Sequence, residues 1–330
     1  ITVGANASGI NFSGLQMLPT MGPGQVEVWI SGSTYRAEDK TNGQIFSSGT
    51  DATTVIQAGW DRVATASLGG DVLVKRGIYQ MVGPLVMSGT CVATIRGEGR
   101  ERSQLRSVSG QECIRLAVGA DTLNIRDLYL THNNANQSGG LLVFQGAQLI
   151  VYVDDVDFYD FGQNVGNAIQ LQATSGVISR VWFKDSFIEG FNTAIRAEVG
   201  NTYYINSVEF NDIYANSARN FFTLKSDISG AFHKDTFEGC TFQWTSGAAQ
   251  VFDYETENSG RVFYGKHIDC MAWDLTSGVQ YMMIGSGQDI EMHGCIPTWK
   301  ISGAGVLANP RDYRIYDKYT SNNGQFLGSG

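Results

Sequence analysis

One short pattern constrains this chain more than any other feature: apolar, polar, then Asp or Gly, two further residues, then apolar again. It reads Ile125-Arg126-Asp127, Val153-Asp154-Asp155, Phe183-Lys184-Asp185, Phe210-Asn211-Asp212, Phe237-Glu238-Gly239, His267-Ile268-Asp269 and Met292-His293-Gly294, with Ile95-Arg96-Gly97 as an earlier copy. From Gly97 through Asp127, Asp155, Asp185, Asp212, Gly239 and Asp269 to Gly294 the steps are 30, 28, 30, 27, 27, 30 and 25 residues. Repeats of this length signal stacked architectures. Steps that drift by a few residues suit a coil of fixed girth with loops of variable length. They are too loose for a helical hairpin repeat and too short for a four-stranded propeller blade.

Each coil carries a second strand, as in Ala168-Ile169-Gln170-Leu171-Gln172, Ala194-Ile195-Arg196-Ala197-Glu198, Phe221-Phe222-Thr223-Leu224-Lys225 and Val251-Phe252-Asp253-Tyr254-Glu255. Alternation turns Ile169/Leu171, Ile195/Ala197, Phe222/Leu224 and Phe252/Tyr254 inward and their polar neighbours outward. Stacked coils then form parallel sheets around one core. Eight or nine coils at ~4.8 Å each give a body on the order of 40 Å long. An open end of such a stack is a sheet edge and needs a cover. Ile56, Trp60 and Val63 lie on one face of a helix that Asp51 can cap, which makes residues 51–63 the expected lid.

The 40 glycines, with only 5 prolines, belong to a chain of many strands and tight turns rather than a disordered one. The net charge of −9 argues against nucleic acid as partner. No apolar run approaches the roughly 20 residues of a membrane helix, and Ile1 to Gly9 carry neither the basic nor the apolar part of a secretory signal. Five cysteines without a CxxC pair, and four histidines, lead us to expect no metal and no cofactor. Ile213, Cys240, Cys270 and Cys295, one step past the bend, read as a buried ladder.

The stretch from 51 to 99 resembles the opening of the pectate-lyase superfamily and of phage-tailspike β-helices. The residues that carry the likeness are Asp51-Ala52-Thr53-Thr54-Val55-Ile56-Gln57-Ala58, Gly69-Gly70-Asp71-Val72-Leu73-Val74-Lys75-Arg76-Gly77-Ile78-Tyr79, Gly83-Pro84-Leu85 and Ile95-Arg96-Gly97-Glu98-Gly99. The resemblance covers roughly residues 51 to 300 and implies an all-β fold, a single-stranded right-handed parallel β-helix of the pectin-lyase kind with an N-terminal capping helix. Residues 1–45 are expected as an arm or docking segment, 46–305 as the β-helix and 306–330 as an exit segment similar to those of tail-associated β-helix proteins. The implied function is directed at a polysaccharide or surface glycan: a tailspike-like depolymerase, lyase or glycoside hydrolase, or else an adhesin or structural spike that does not cut. The implied location is extracellular, on a virion or cell surface, and the implied assembly a homotrimer, with no membrane insertion. Neither the W-x-D-H and R-x-P-x-x-R stretches of pectate lyases nor the NTD, GHG and RIK motifs of polygalacturonases occur here, so no catalytic residue transfers from either.

The residues themselves nominate three places. Outward positions of the second strand make two columns, Gln170, Arg196, Thr223, Asp253 and Gln172, Glu198, Lys225, Glu255. Glu198 and Glu255, two coils apart, would lie ~9–10 Å from each other, near the upper separation used by inverting glycosidases. Glu198, Asp253 and Glu255 are therefore the candidate catalytic acids, with Arg196 and Lys225 as substrate-binding cations; the plainer reading is a solvated face whose charges pair across strands. On the first strand Tyr152 and Trp182, flanked by Asn124 and Glu209, could stack on sugar rings or only on each other. A third column, Tyr129, Asp157, Phe187, Tyr214, Thr241, Met271 and Ile296, is apolar enough to suggest a chain-to-chain contact. The Asp and Gly of the repeat could be a row of carboxylates, but Gly keeps a bend and cannot do acid chemistry, so a left-handed bend is the simpler reading.

Overall fold

The computed structural model describes residues 24 to 273 apart from 66–68, 90–91, 109–111, 118, 120–121, 134–138, 147–149, 162–165, 218–219, 227–230, 245–249, 259–260 and 264. It also describes the strand segments 280–283, 290–293, 301–302 and 313–316. The cysteine at 295 and the repeat residue at 294 lie outside the described residues.

The chain winds as a parallel β-helix. One sheet stacks nine strands from Leu85–Met87 to Ile301–Ser302, each parallel to the next. Ile169, Ile195, Phe222 and Phe252 fall in one register on it, and all are buried. The other wall of each coil is a longer run that turns once in its middle. Thr122–His132 pairs with Ile150–Asp160 on both sides of that turn, with Arg126 opposite Asp154 and Leu128 opposite Val156.

The turning residue adopts left-handed backbone at Asp127 (φ 57), Asp155 (φ 55), Asp185 (φ 47), Asp212 (φ 54), Gly239 (φ 63) and Asp269 (φ 48). Asp, Asn and Gly tolerate that conformation best, which explains why only Asp and Gly occupy the position. Gly97 owes its place to something else: a Cβ there would come within 2.1 Å of the Asp127 carbonyl oxygen and 2.7 Å of the Ser103 Cβ. Close packing, rather than left-handed backbone, requires glycine at that coil.

Inside, the repeat stacks aromatic rings at the strand spacing. Phe183 and Phe210 lie 4.9 Å apart and Phe210 and Phe237 4.7 Å apart, both pairs within 7° of parallel. Such pairs add about 0.5–1.5 kcal/mol beyond burial. His267 continues the row, 5.0 Å from Phe237. Full burial pushes its pKa down to about 3, so it packs as a neutral ring. Cys240 and Cys270 are buried beside Ile213 as expected.

The N-terminal end is covered twice. The helix Ala52–Ala64 is capped by Asp51, whose carboxylate accepts from the Thr53 amide at 2.9 Å. It buries Val55, Ile56, Trp60 and Val63, burial that stabilises by roughly 1.5–3 kcal/mol per large side chain. An antiparallel meander, Gln25–Ser31, Thr34–Asp39 and Gln44–Gly49, adds its first strand in parallel to Gly70–Val74 of the first coil. Part of the stretch expected as an arm is thus built into the wall. No helix among the described residues is long and apolar enough to cross a membrane.

Candidate functional site

Outward residues from both sides of the left-handed bend line one hollow. The result is a groove of about 920 Å³ running over several coils at the bend. Its floor is the Asp row, Asp127, Asp155, Asp185 and Asp212. One wall is the column of Tyr129, Asp157, Phe187 and Tyr214; Asp154 and Lys184 stand on the other.

Asp157 is the unusual group. It pairs across strands with Tyr129 on one side, and the next strand over begins at Phe187, whose amide donates to its carboxylate. Lodged between aromatic neighbours it is only 8% exposed. Burial is the main reason its pKa is pushed up to about 6; Arg100 and the Phe187 amide work against that, while Asp155 adds to it. Arg100 reaches in from the loop after Gly97, with Nη1 3.2 Å from Asp155, 3.5 Å from Asp157 and 3.3 Å from the Asp185 carbonyl oxygen. On the floor, burial and then the neighbouring Asp155 charge hold the Asp127 carboxyl above its ordinary value, against the nearby Arg126 charge. The groove therefore joins a desolvated carboxyl, Asp157, to a row of more open carboxylates on its floor. Tyr129 and Tyr159 sit 6.1 Å apart, and Phe187 and Tyr214 stack at 5.1 Å, along its aromatic wall.

The residues nominated from sequence fall elsewhere. Gln170, Arg196, Thr223 and Asp253 do form one column, and Gln172, Glu198 and Lys225 the next. Glu255 does not join them: a register shift after Thr223 sets Glu257 opposite Lys225. The Glu255 side chain lies outside what the structure describes. Glu198 accepts from Arg196 Nε at 2.8 Å, an ion pair within one strand. Asp253 is buried rather than solvated, 6% exposed. Tyr152 and Trp182 stack on each other at 4.7 Å and 13°. Their rings are turned toward each other, with Asn124 next in line beyond Tyr152, so they offer mainly edges to the smaller groove of about 570 Å³ that they line.

The acid groove went unread as a site because its two halves were read separately, the Asp row as a bend and the third column as a contact surface. The signal that could have joined them is Asp157 itself, a carboxylate interrupting an otherwise aromatic outward row. Among the described residues no group of three or more His, Cys, Asp and Glu is arranged to hold a metal ion.

No family model and no curated relative matches this chain. Among solved structures it is similar to the A-module of a mannuronan C-5 epimerase from Azotobacter vinelandii, at 15% identity over 77% of this chain and 71% of that one, TM-score 0.44. It is also similar to a pectin methylesterase from Erwinia chrysanthemi, at 13% identity over 80% and 91%, TM-score 0.37. A third is a protein of Geobacillus virus E2, at 12% identity over 78% and 59%, TM-score 0.33. The fold rests on the strand pairing of the chain itself: a single-stranded parallel β-helix, closed at one end by a helix and a meander, with an acid groove at its bend.

Proposed function

We propose that this protein is a polysaccharide depolymerase that holds its glycan along the bend groove and hydrolyses it. An open groove crossing successive coils suits a linear polymer, its aromatic wall suits the C–H faces of sugar rings, and its carboxylates suit their hydroxyls. The observation that carries the chemistry is Asp157, a carboxyl desolvated enough to keep its proton toward pH 6, beside the more open Asp155 with which it shares Arg100. A buried carboxyl next to an open one divides acid from base. Asp157 gives its proton to the glycosidic oxygen as the C–O bond breaks, and water adds at the sugar carbon, losing its proton to the Asp155 carboxylate.

Glu198, Asp253 and Glu255 carry less of this reading, since Glu198 is committed to Arg196 on a flat face. A location on a virion or cell surface, as in the tailspike-like proteins the sequence resembles, is where such a polymer would be met. A homotrimer closed through the Tyr129–Tyr214 column would compete with the glycan for the same side chains; light scattering that finds a monomer removes it. Incubation with a panel of glycans tests the reading: new reducing ends from the wild type, none from Asp157→Asn. Unsaturated, ultraviolet-absorbing products would replace hydrolysis with elimination, and binding without product would leave an adhesin.

A further inference from the structure

At the first coil the same bend carries cations instead of acids. Lys75 and Arg76 lie between Gly70–Val74 and Gly77–Met81, and with Arg102, Glu98 and Trp29 they line a pocket of about 720 Å³. Glu98 offsets the charge of these three cations only in part. One of its oxygens accepts from Lys75 Nζ at 2.8 Å and the other from the Arg76 amide at 2.9 Å, so both are already used. The guanidinium groups of Arg76 and Arg102 have no hydrogen-bond or ion-pair partner among the described residues. Two free guanidinium groups at one pocket of a chain with net charge −9 call for an anion, which such groups bind bidentately. Trp29 supplies what a bare anion does not need, an aromatic surface for the body that carries it.

We propose that this pocket binds a sugar unit bearing a carboxylate or sulfate. The bend places it three coils, ~14 Å, before Asp155, and a single loop, 97–103, sends Arg100 to the groove and Arg102 to the pocket. Resting on the function proposed above, the pocket is an anchoring subsite outside the cleavage point, which makes the substrate a charged glycan.

Titration calorimetry on the full chain tests this with three oligosaccharides of equal length, one uronate, one sulfated and one uncharged, and with inorganic sulfate alone. The wild type is expected to bind the charged sugars at least tenfold more tightly than the uncharged one. Raising salt should weaken that preference, Arg76→Gln/Arg102→Gln should abolish it, and Trp29→Ala should cut it severalfold. All of these positions are at least partly exposed, so unchanged Tm values are expected to accompany the losses. Preference that survives in the double variant, or inorganic sulfate binding as tightly as the sulfated sugar, would overturn the assignment. Asp157→Asn keeps the preference while losing cleavage. If the wild type cleaves nothing yet binds charged sugars through the two arginines, the groove reading fails and the pocket stands; cleavage of uncharged glycans without a charge preference shows the reverse.

Discussion

The bend groove and the flat face of the nine-stranded sheet are built from the same material, outward carboxylates and cations on parallel strands, and behave differently. On the flat face Glu198 and Arg196 lie two residues apart in one strand and simply pair, both about a fifth exposed. At the bend, Asp155 and Asp157 are also two residues apart, but Asp155 is itself left-handed and turns the strand. Their side chains meet those of neighbouring coils, a single arginine serves both, and one carboxyl is desolvated. Curvature, more than residue type, separates a site from a solvated surface here.

The sharpest way to break that comparison is catalytic. Asp157→Asn should lower the rate of glycan cleavage by about 10²–10⁴-fold, the usual worth of a general acid, while Glu198→Gln changes it less than twofold. Equal losses would mean the bend has no special standing.

A second contrast is in stability. The folded pKa of Asp157, about 6, lies above its ordinary 3.8. Folding therefore takes up a proton between those values, and stability falls as pH rises through that window. Replacing the carboxyl with a neutral amide removes the penalty, so Asp157→Asn should be more stable than the wild type at pH 7 by about 2 kcal/mol, allowing for screening at an open groove. The gain should vanish below pH 4. Denaturant melts at the two pH values check this, and Glu198→Gln should show no such crossover. By the same titration cleavage should fall as pH rises past about 6, where Asp157 loses the proton it donates.

The bend itself separates architecture from chemistry. Asp155→Gly and Asp269→Gly should both melt within roughly 0.5 kcal/mol of the wild type, because glycine accepts the left-handed backbone. Only Asp155→Gly should depress cleavage. Asp269→Val should cost about 1–2 kcal/mol by forcing a β-branched residue into that region. The smallest effect belongs to the flat face: Arg196→Gln should cost a few tenths of a kcal/mol, about the worth of a partly exposed pair, and leave cleavage within twofold.

The winding was legible in the sequence because left-handed backbone admits so few residues that Asp127, Asp155, Asp185, Asp212 and Gly239 spell it out at coil spacing. The capping helix was legible through Asp51, Ile56, Trp60 and Val63. What alternation could not show was whether two outward faces diverge or converge. It says that Asp157 points out, not that Tyr129 and Phe187 will shield it. Nor does period two reveal a register shift such as the one after Thr223, which takes Glu255 out of line with Lys225. Gly97 shows the same limit from the other side, a repeat residue kept for a contact from the next coil rather than for its own backbone.

Cleavage of one glycan panel by the wild type, Asp157→Asn and Glu198→Gln, read as new reducing ends, tests the central claim most directly. Release by the wild type and Glu198→Gln, with none from an Asp157→Asn variant that still binds the glycan, is the expected result. Undiminished release by Asp157→Asn, or no release from any glycan by the wild type, would contradict a catalytic groove at the bend.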